Sequence, residues 1–275
     1  MTKFLSVVGV ILVITSSVVR PVKSIEISDK PELGYIIGIS GLSNLGRASS
    51  IAVDTTTGHL YIGIDNTGFA ELSPDGQLLN TFTISGPIVD NSGFDYNPLT
   101  GNLLFVNGLN ATNPEPIIEI SITGTLISEI SSPIIEGTGL AIDPQTNNLF
   151  ILDIVSTSSH LVRELNLDEN NYTEVNSFAL PTILGDASDA GLDFNPSTGN
   201  LSVTGESGQN PGIVFEVDRD GNNVQEYIDT GLSNGISGIA FDNEPFRLYV
   251  LAGYDKQIYV YGSFEKIYLP IVTNN

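Results

Sequence analysis

The sequence predicts an all-β chain folded as a single β-propeller of four-stranded antiparallel blades, and three observations carry that prediction. One pattern recurs at intervals of 43, 46, 52 and 47 residues, measured between Asp54, Asn97, Asp143, Asn195 and Asp242. Runs of alternating apolar and polar residues, bounded by Gly, Pro, Asn and Asp, fill each interval, and no stretch after the first 24 residues has helical periodicity. Each interval has room for four strands, which is the size of a propeller blade.

The first 24 residues, MTKFLSVVGVILVITSSVVRPVKS, read as a secretory signal peptide. Lys3 supplies the positive start, Phe4 to Ile14 the apolar region, and Val22-Lys23-Ser24 the cleavage site. The alternative is an uncleaved anchor, since apolar residues continue to Val19, but Ser16, Ser17 and Pro21 make the stretch short for a bilayer span. Residues 25–275 are then the propeller domain, with no integral membrane span after cleavage and a secreted, periplasmic or extracellular location.

Charge and cysteine content narrow the function classes. The chain has a formal charge of −22, and removing Lys3, Arg20 and Lys23 with the signal takes it to about −25. Such a balance repels a phosphate backbone and argues against a nucleic-acid partner; it favours solubility in an extracytoplasmic medium. Cysteine is absent. Disulfide scaffolding and cysteine-based zinc or thiol chemistry are thereby excluded, and a secreted chain without disulfides points to a bacterial source. The sequons at Asn110, Asn171 and Asn200 would matter only in a eukaryotic secretory pathway.

Along the chain, ELGYIIGISGLSNLG comes first and matches VQEYIDTGLSNGI, an outer strand leading into the next unit. Residues 34–41 are therefore expected to close the ring by pairing with the last blade, which removes exposed sheet edges. The five units follow: SSIAVDTTTGHLYI from Ser49, SGFDYNPLTGNLLFV from Ser92, TGLAIDPQTNNLFIL from Thr138, AGLDFNPSTGNLSV from Ala190 and SGIAFDNEPFRLYVL from Ser237. Each is a short apolar strand, an Asp or Asn, a polar turn and a second apolar strand. Asn or Asp opens the turn by bonding its own backbone, Pro presets φ, and Gly or Asn tolerates the left-handed conformation before the chain reverses. The repeated NPxTGN spelling is thus hairpin punctuation, to which we assign no chemistry. Two further alternating runs complete each blade, as in IIEISITGTLISEI. The last unit shows three strands, and KIYLPIV at residues 266–272 could supply its fourth, in which case the ring has six blades rather than five.

The units resemble the NHL, SMP-30/gluconolactonase and SdiA-regulated (phytase-like) propeller repeats over residues 34–261. The likeness rests on the small-residue strand, the Asp, the Gly-Asn turn, the apolar strand and the later Asp-Gly turn at Asp75-Gly76 and Asp220-Gly221. It implies a blade architecture, usually in six copies, that serves binding proteins and enzymes alike. The lactonase-type metal set, a Glu with Asn and Asp from separate blades, could be imitated by Glu136, Asn91 and Asp189, although the surrounding motifs do not match.

Loops that precede the first strand of a blade, and loops that join the second strand to the third, emerge on one face. There the equivalent positions vary: Arg47, Asp90, Glu136, Ser188 and Gly235, with Asn91 and Asp189 one place later, and Asp153, Asp186, Glu206, Asn234 and Asp255 from loops of the same face. An acidic funnel with one arginine is expected, with Arg47, Asp90, Asn91, Glu136, Asp186 and Asp189 as ligand-binding candidates. Two places before the framework Asp/Asn, the units read Ala52, Asp95, Ala141, Asp193 and Ala240. A carboxylate on an innermost strand must be hydrogen-bonded, paired or bound to metal. Asp95, Asp193 and Glu136 are accordingly metal candidates for Ca²⁺ or another hard divalent cation, while backbone amides nearby are the competing partners.

Other chemistry has little support. Asp218-Arg219-Asp220-Gly221 begins like a calcium loop but lacks the later ligands, which leaves a hairpin turn. His59 lies in a turn and His160 in a Ser-rich run, with no GxSxG, HExxH or phosphate-binding glycine loop. The expected function is a secreted, monomeric binding module for a small molecule, glycan or protein, acting through the loop face at the central channel. The alternatives are a metal-dependent hydrolase of an ester, lactone or phosphoester, and a structural surface or matrix protein.

Overall fold

A computed structural model describes residues 31–42, 45–65, 68–84, 93–106, 114–156, 159–168, 171–180, 191–204, 211–243 and 246–262. They form five four-stranded antiparallel sheets. Blade 1 comprises β2 (Ala48–Val53), β3 (Leu60–Ile64), β4 (Gly68–Leu72) and β5 (Leu78–Phe82). Blade 2 comprises β6 (Gly93–Asn97), β7 (Asn102–Val106), β8 (Glu115–Ser121) and β9 (Leu126–Ile134). Blade 3 comprises β10 (Gly137–Ile142), β11 (Leu149–Ser156), β12 (Ser159–Asp168) and β13 (Asn171–Ala179). Blade 4 comprises β14 (Leu192–Asn195), β15 (Asn200–Thr204), β16 (Ile213–Val217) and β17 (Gln225–Asp229). Blade 5 combines β18 (Gly238–Asn243), β19 (Phe246–Ala252) and β20 (Gln257–Gly262) with β1 (Glu32–Gly38) from the other end of the chain.

The innermost strands touch in the cyclic order β2, β6, β10, β14, β18 and back to β2, so the ring is complete with five blades. β1 closes it as expected, pairing antiparallel with β20 from Glu32 opposite Gly262 to Gly38 opposite Gln257. The six-blade alternative required residues 266–272 to take that place, and β1 holds it; the segment itself lies outside the described residues.

Packing explains why the inner strands depart from the period-two reading. Hydrophobic clusters fill the seams between neighbouring blades, so the first two strands of a blade are covered on both faces. β2, β3 and β10 are buried at every position, whereas the outer β13 alternates toward solvent. At the seam of blades 1 and 2, the Phe69 ring lies 5.1 Å from Phe94 and 5.8 Å from Phe105.

The hairpin joining the first two strands is the same in blades 1 to 4. The carbonyls of Asp54, Asn97, Asp143 and Asn195 accept from the backbone N–H four residues on, at 2.7–2.8 Å. Their side chains accept from the amide two residues on, at 2.8–3.0 Å. The residue closing the turn is left-handed, with φ of 74° at Gly58, 72° at Gly101, 61° at Asn147 and 76° at Gly199. Asn147 thus replaces glycine where a polar side chain tolerates the strain.

Glycine has a different task near the axis. A Cβ built on Gly93 would lie 2.7 Å from the Gly139 backbone, and one on Gly191 would lie 2.9 Å from the Gly238 Cα. Two substitutions separate the roles. Gly93→Ala should cost about 2–3 kcal/mol or more, because neither backbone can yield. Gly199→Ala meets no atom within 4 Å and should cost only the left-handed strain, about 1–2 kcal/mol. Urea denaturation of the two variants should place their midpoints in that order.

Candidate functional site

The inner edge of each blade has no strand beyond it, and this sets the chemistry of the axis. Asp54 and Asp143 donate their N–H to the carbonyls of His59 and Asn148, each the residue just before the second strand, at 2.9 and 3.0 Å. In an antiparallel pair the residue one place earlier then turns its N–H and C=O away from that strand, here toward the axis. Val53, Tyr96, Ile142, Phe194 and Phe241 hold this position in the five blades and line a cavity of about 50 Å³ at one mouth of the channel. Thr55, Pro98, Pro144 and Pro196 from the hairpin turns form its rim, with Asp95 and Asp193 in its wall.

The two aspartates serve these axial amides. Asp95 accepts from its neighbour Tyr96 at 2.7 Å and from Ile142 of blade 3 at 2.9 Å. Asp193 accepts from Phe194 at 2.7 Å and from Phe241 of blade 5 at 2.6 Å. One carboxylate therefore clasps blade 2 to blade 3 and the other blade 4 to blade 5, and four of the five axial N–H groups are satisfied by two side chains. In a ring of five, two non-adjacent clasps are the most that fit without adding a carboxylate next to an existing one. Burial pushes the Asp95 carboxyl up to about 7 against the lowering effect of its two amide donors. Burial, and then the charge of Asp95, push Asp193 well above the usual carboxylate range.

Deeper along the axis the channel narrows to about 10 Å³, room for about one water molecule. Ser50, Gly93, Gly139, Gly191 and Gly238 build this waist with the apolar residues that follow them.

On the loop face, three loops converge at the seam of blades 5 and 1. The Arg47 guanidinium lies 4.9 Å from the centroid of the Tyr254 ring. Asn234 Nδ2 donates to Asp255 Oδ1 at 2.9 Å. Arg47 is half-buried, and Asn234, Tyr254 and Asp255 are exposed.

The expected site residues separate accordingly. Asp95 and Asp193 share the hairpin-side cavity, while Glu136 belongs to the loop face and does not line it. Among the described residues no three His, Cys, Asp or Glu side chains form a metal-holding group. Arg47, Asn234 and Asp255 come together on the loop face. Asp90, Asn91, Asp186, Asp189, Ser188 and Glu206 lie outside the described residues. Asp153, expected in a loop, is instead buried in β11. Its Oδ1 accepts from the Ile135 and Glu136 amides at 2.9 Å each, and Arg163 pairs with its other oxygen.

Two residues escaped the sequence reading. Tyr254 stands in the turn GYDK, where only an exposed aromatic marks it. Arg219, in the turn first weighed as a calcium loop, reaches across the seam of blades 3 and 4. It donates to Asp143 at 2.8 Å and to Glu164 at 2.6 Å, with its guanidinium 4.9 Å from the Phe150 centroid. That turn is a hairpin whose Asp218 accepts from the Asp220 and Asn222 amides.

No protein-family model matches the chain, and no curated protein matches it. Among solved structures, a protein of unknown function from Bacteroides caccae is similar over 74% of this chain and 69% of its own, at 17% identity and a TM-score of 0.43. An auxiliary nutrient binding protein from Bacteroides thetaiotaomicron VPI-5482 is similar over 79% of this chain and 69% of its own, at 11% identity and a TM-score of 0.48. The five-bladed architecture accordingly rests on this chain's own strand pairing, and the comparisons do not show the NHL, gluconolactonase or phytase-like family.

The aspartate clasps imply a pH dependence. The folded pKa of Asp95, about 7, lies above the value of about 3.9 in an unfolded chain. Between those values the folded state holds protons that the unfolded state has released, so this contribution is intact below about pH 4 and lost as pH rises through 7. Asp95→Asn removes the titration but turns an NH₂ toward one of the two amide donors, at a cost of about 1–3 kcal/mol. Urea midpoints at pH 4.5 and 7.5 should fall more steeply for the wild type than for Asp95→Asn.

Proposed function

We propose that the protein is a secreted binding module that takes its ligand on the loop face around the channel mouth. The observation that supports this reading is how little room the described axis offers, about 10 Å³ where Ser50 and the axial glycines meet. Pockets for small molecules usually enclose about 300–1,000 Å³, so neither the waist nor the 50 Å³ hairpin-side cavity can enclose such a ligand. The hairpin turns also commit their Asp and Asn side chains to their own backbone. The loop face supports recognition instead, because it gathers exposed polar and aromatic side chains from separate loops on a rigid ring.

A Ca²⁺-dependent hydrolase is the alternative, and it retains Asp95 and Asp193 from its proposed ligand set as neighbours in one cavity. Both of these carboxyls are committed to backbone amides, so a cation there would have to compete with four N–H donors.

Hydrogen exchange of the folded chain, with and without candidate saccharides, peptides and small metabolites, tests the binding reading. A ligand should raise the melting temperature and protect residues 45–47, 135–136, 230–237 and 253–256. Protection confined to the hairpin turns, or turnover of an ester or lactone that tracks added Ca²⁺, would overturn it.

A further inference from the structure

The cluster at the seam of blades 5 and 1 has the components of a more specific site. Tyr254 is 56% exposed as a residue, and Arg47 lies over one face of its ring. That contact fixes the ring and leaves an aromatic surface toward solvent. Beside it in the same turn, Asp255 accepts one N–H of Asn234. Asn234 keeps a second N–H and its carbonyl oxygen for a ligand, and Asp255 keeps acceptor sites on its other oxygen.

The cluster is also preorganised. At Gly253, immediately before Tyr254, a Cβ would lie 2.0 Å from the Ala48 carbonyl oxygen and 2.7 Å from Ser237 Oγ. The turn bearing Tyr254 and Asp255 is therefore seated directly against the first strand of blade 1 and the start of blade 5. Rigid side chains lose little freedom on binding, which favours affinity.

We infer that Arg47, Tyr254, Asn234 and Asp255 form a carbohydrate-binding site for a neutral sugar ring bearing vicinal hydroxyls. The inference rests on the loop-face binding reading and names its ligand class. A sugar ring presents an apolar C–H face to an aromatic side chain and, at its rim, hydroxyls that both donate and accept. The Asn–Asp pair offers the matching mixture: acceptors on the carboxylate, and a donor with an acceptor on the amide. Charge decides against the ionic alternatives. The Arg47 charge on the opposite face of the ring disfavours a second cation on the open face, and Asp255 on a chain of formal charge −22 repels an anion.

Isothermal titration calorimetry with the folded chain tests this, using cello-, manno-, xylo- and galacto-oligosaccharides beside uronic-acid oligosaccharides. At least one neutral series should bind. Tyr254→Ala should weaken binding about tenfold or more, Tyr254→Phe should retain it within about threefold, and Asn234→Ala should weaken it about tenfold. All three variants should keep the wild-type melting temperature, since these side chains are exposed. Tighter binding of the uronic-acid series, saccharide binding unaffected by Tyr254→Ala, or no saccharide binding would each overturn the inference. If a peptide or metabolite protects the loop face while no saccharide binds, the binding-module reading survives without this site; if nothing protects that face, both fall.

Discussion

Five unpaired sheet edges meeting on one axis are the constraint on which the rest of this protein depends. Each inner strand brings backbone N–H and C=O groups that its own sheet cannot satisfy, and closing a ring of only five blades forces those strands into contact. Glycine removes the steric obstacle at the waist, where the Gly93 and Gly139 backbones approach too closely for a side chain between them. Asp95 and Asp193 answer the polar one by accepting four axial N–H groups. An unsatisfied buried amide is costly, so carboxylates that look out of place beside Ala52, Ala141 and Ala240 have a structural reason to be there.

The seams away from the axis combine one apolar grammar with individual fasteners. Burial of both faces of the inner strands supplies the general attraction. Blades 3 and 4 add Arg219, which joins Asp143 and Glu164 while lying against Phe150. Blades 2 and 3 add an amide contact from Asn97 to Asn147. Blades 5 and 1 are joined by the close seating of Gly253 on Ala48, and β1 completes blade 5 from the opposite end of the chain. Cooperative closure follows, because the last blade is incomplete until residues from both ends of the described chain meet.

This architecture divides labour between its two faces. On the hairpin side, polar side chains are consumed in building turns, and the aspartates are consumed in holding blades together. On the loop side, the same framework supports Arg47, Asn234, Tyr254 and Asp255 without enlisting them in a repeated turn. A rigid ring of this kind is compatible with the recognition proposed for its loop side, since such a framework can persist while the loops vary.

The sequence by itself determined the blade, the hairpin and the closing strand, because these follow from local rules: alternation, turn chemistry and a repeat that exposes them five times. It also singled out Asp95 and Asp193 as departures from the repeat. It could not assign their partners, since the Ile142 and Phe241 amides stand 47 and 48 residues away. Nor could the residue pattern distinguish a loop acid from Asp153, a buried strand residue held by two amides and Arg163. Tyr254 gave no periodic signal at all, and its meeting with Arg47 exists only because the ring brings the last blade beside the first. Tertiary structure decided these matters for one physical reason: the contacts are made between blades, across seams whose geometry depends on closure of the whole ring.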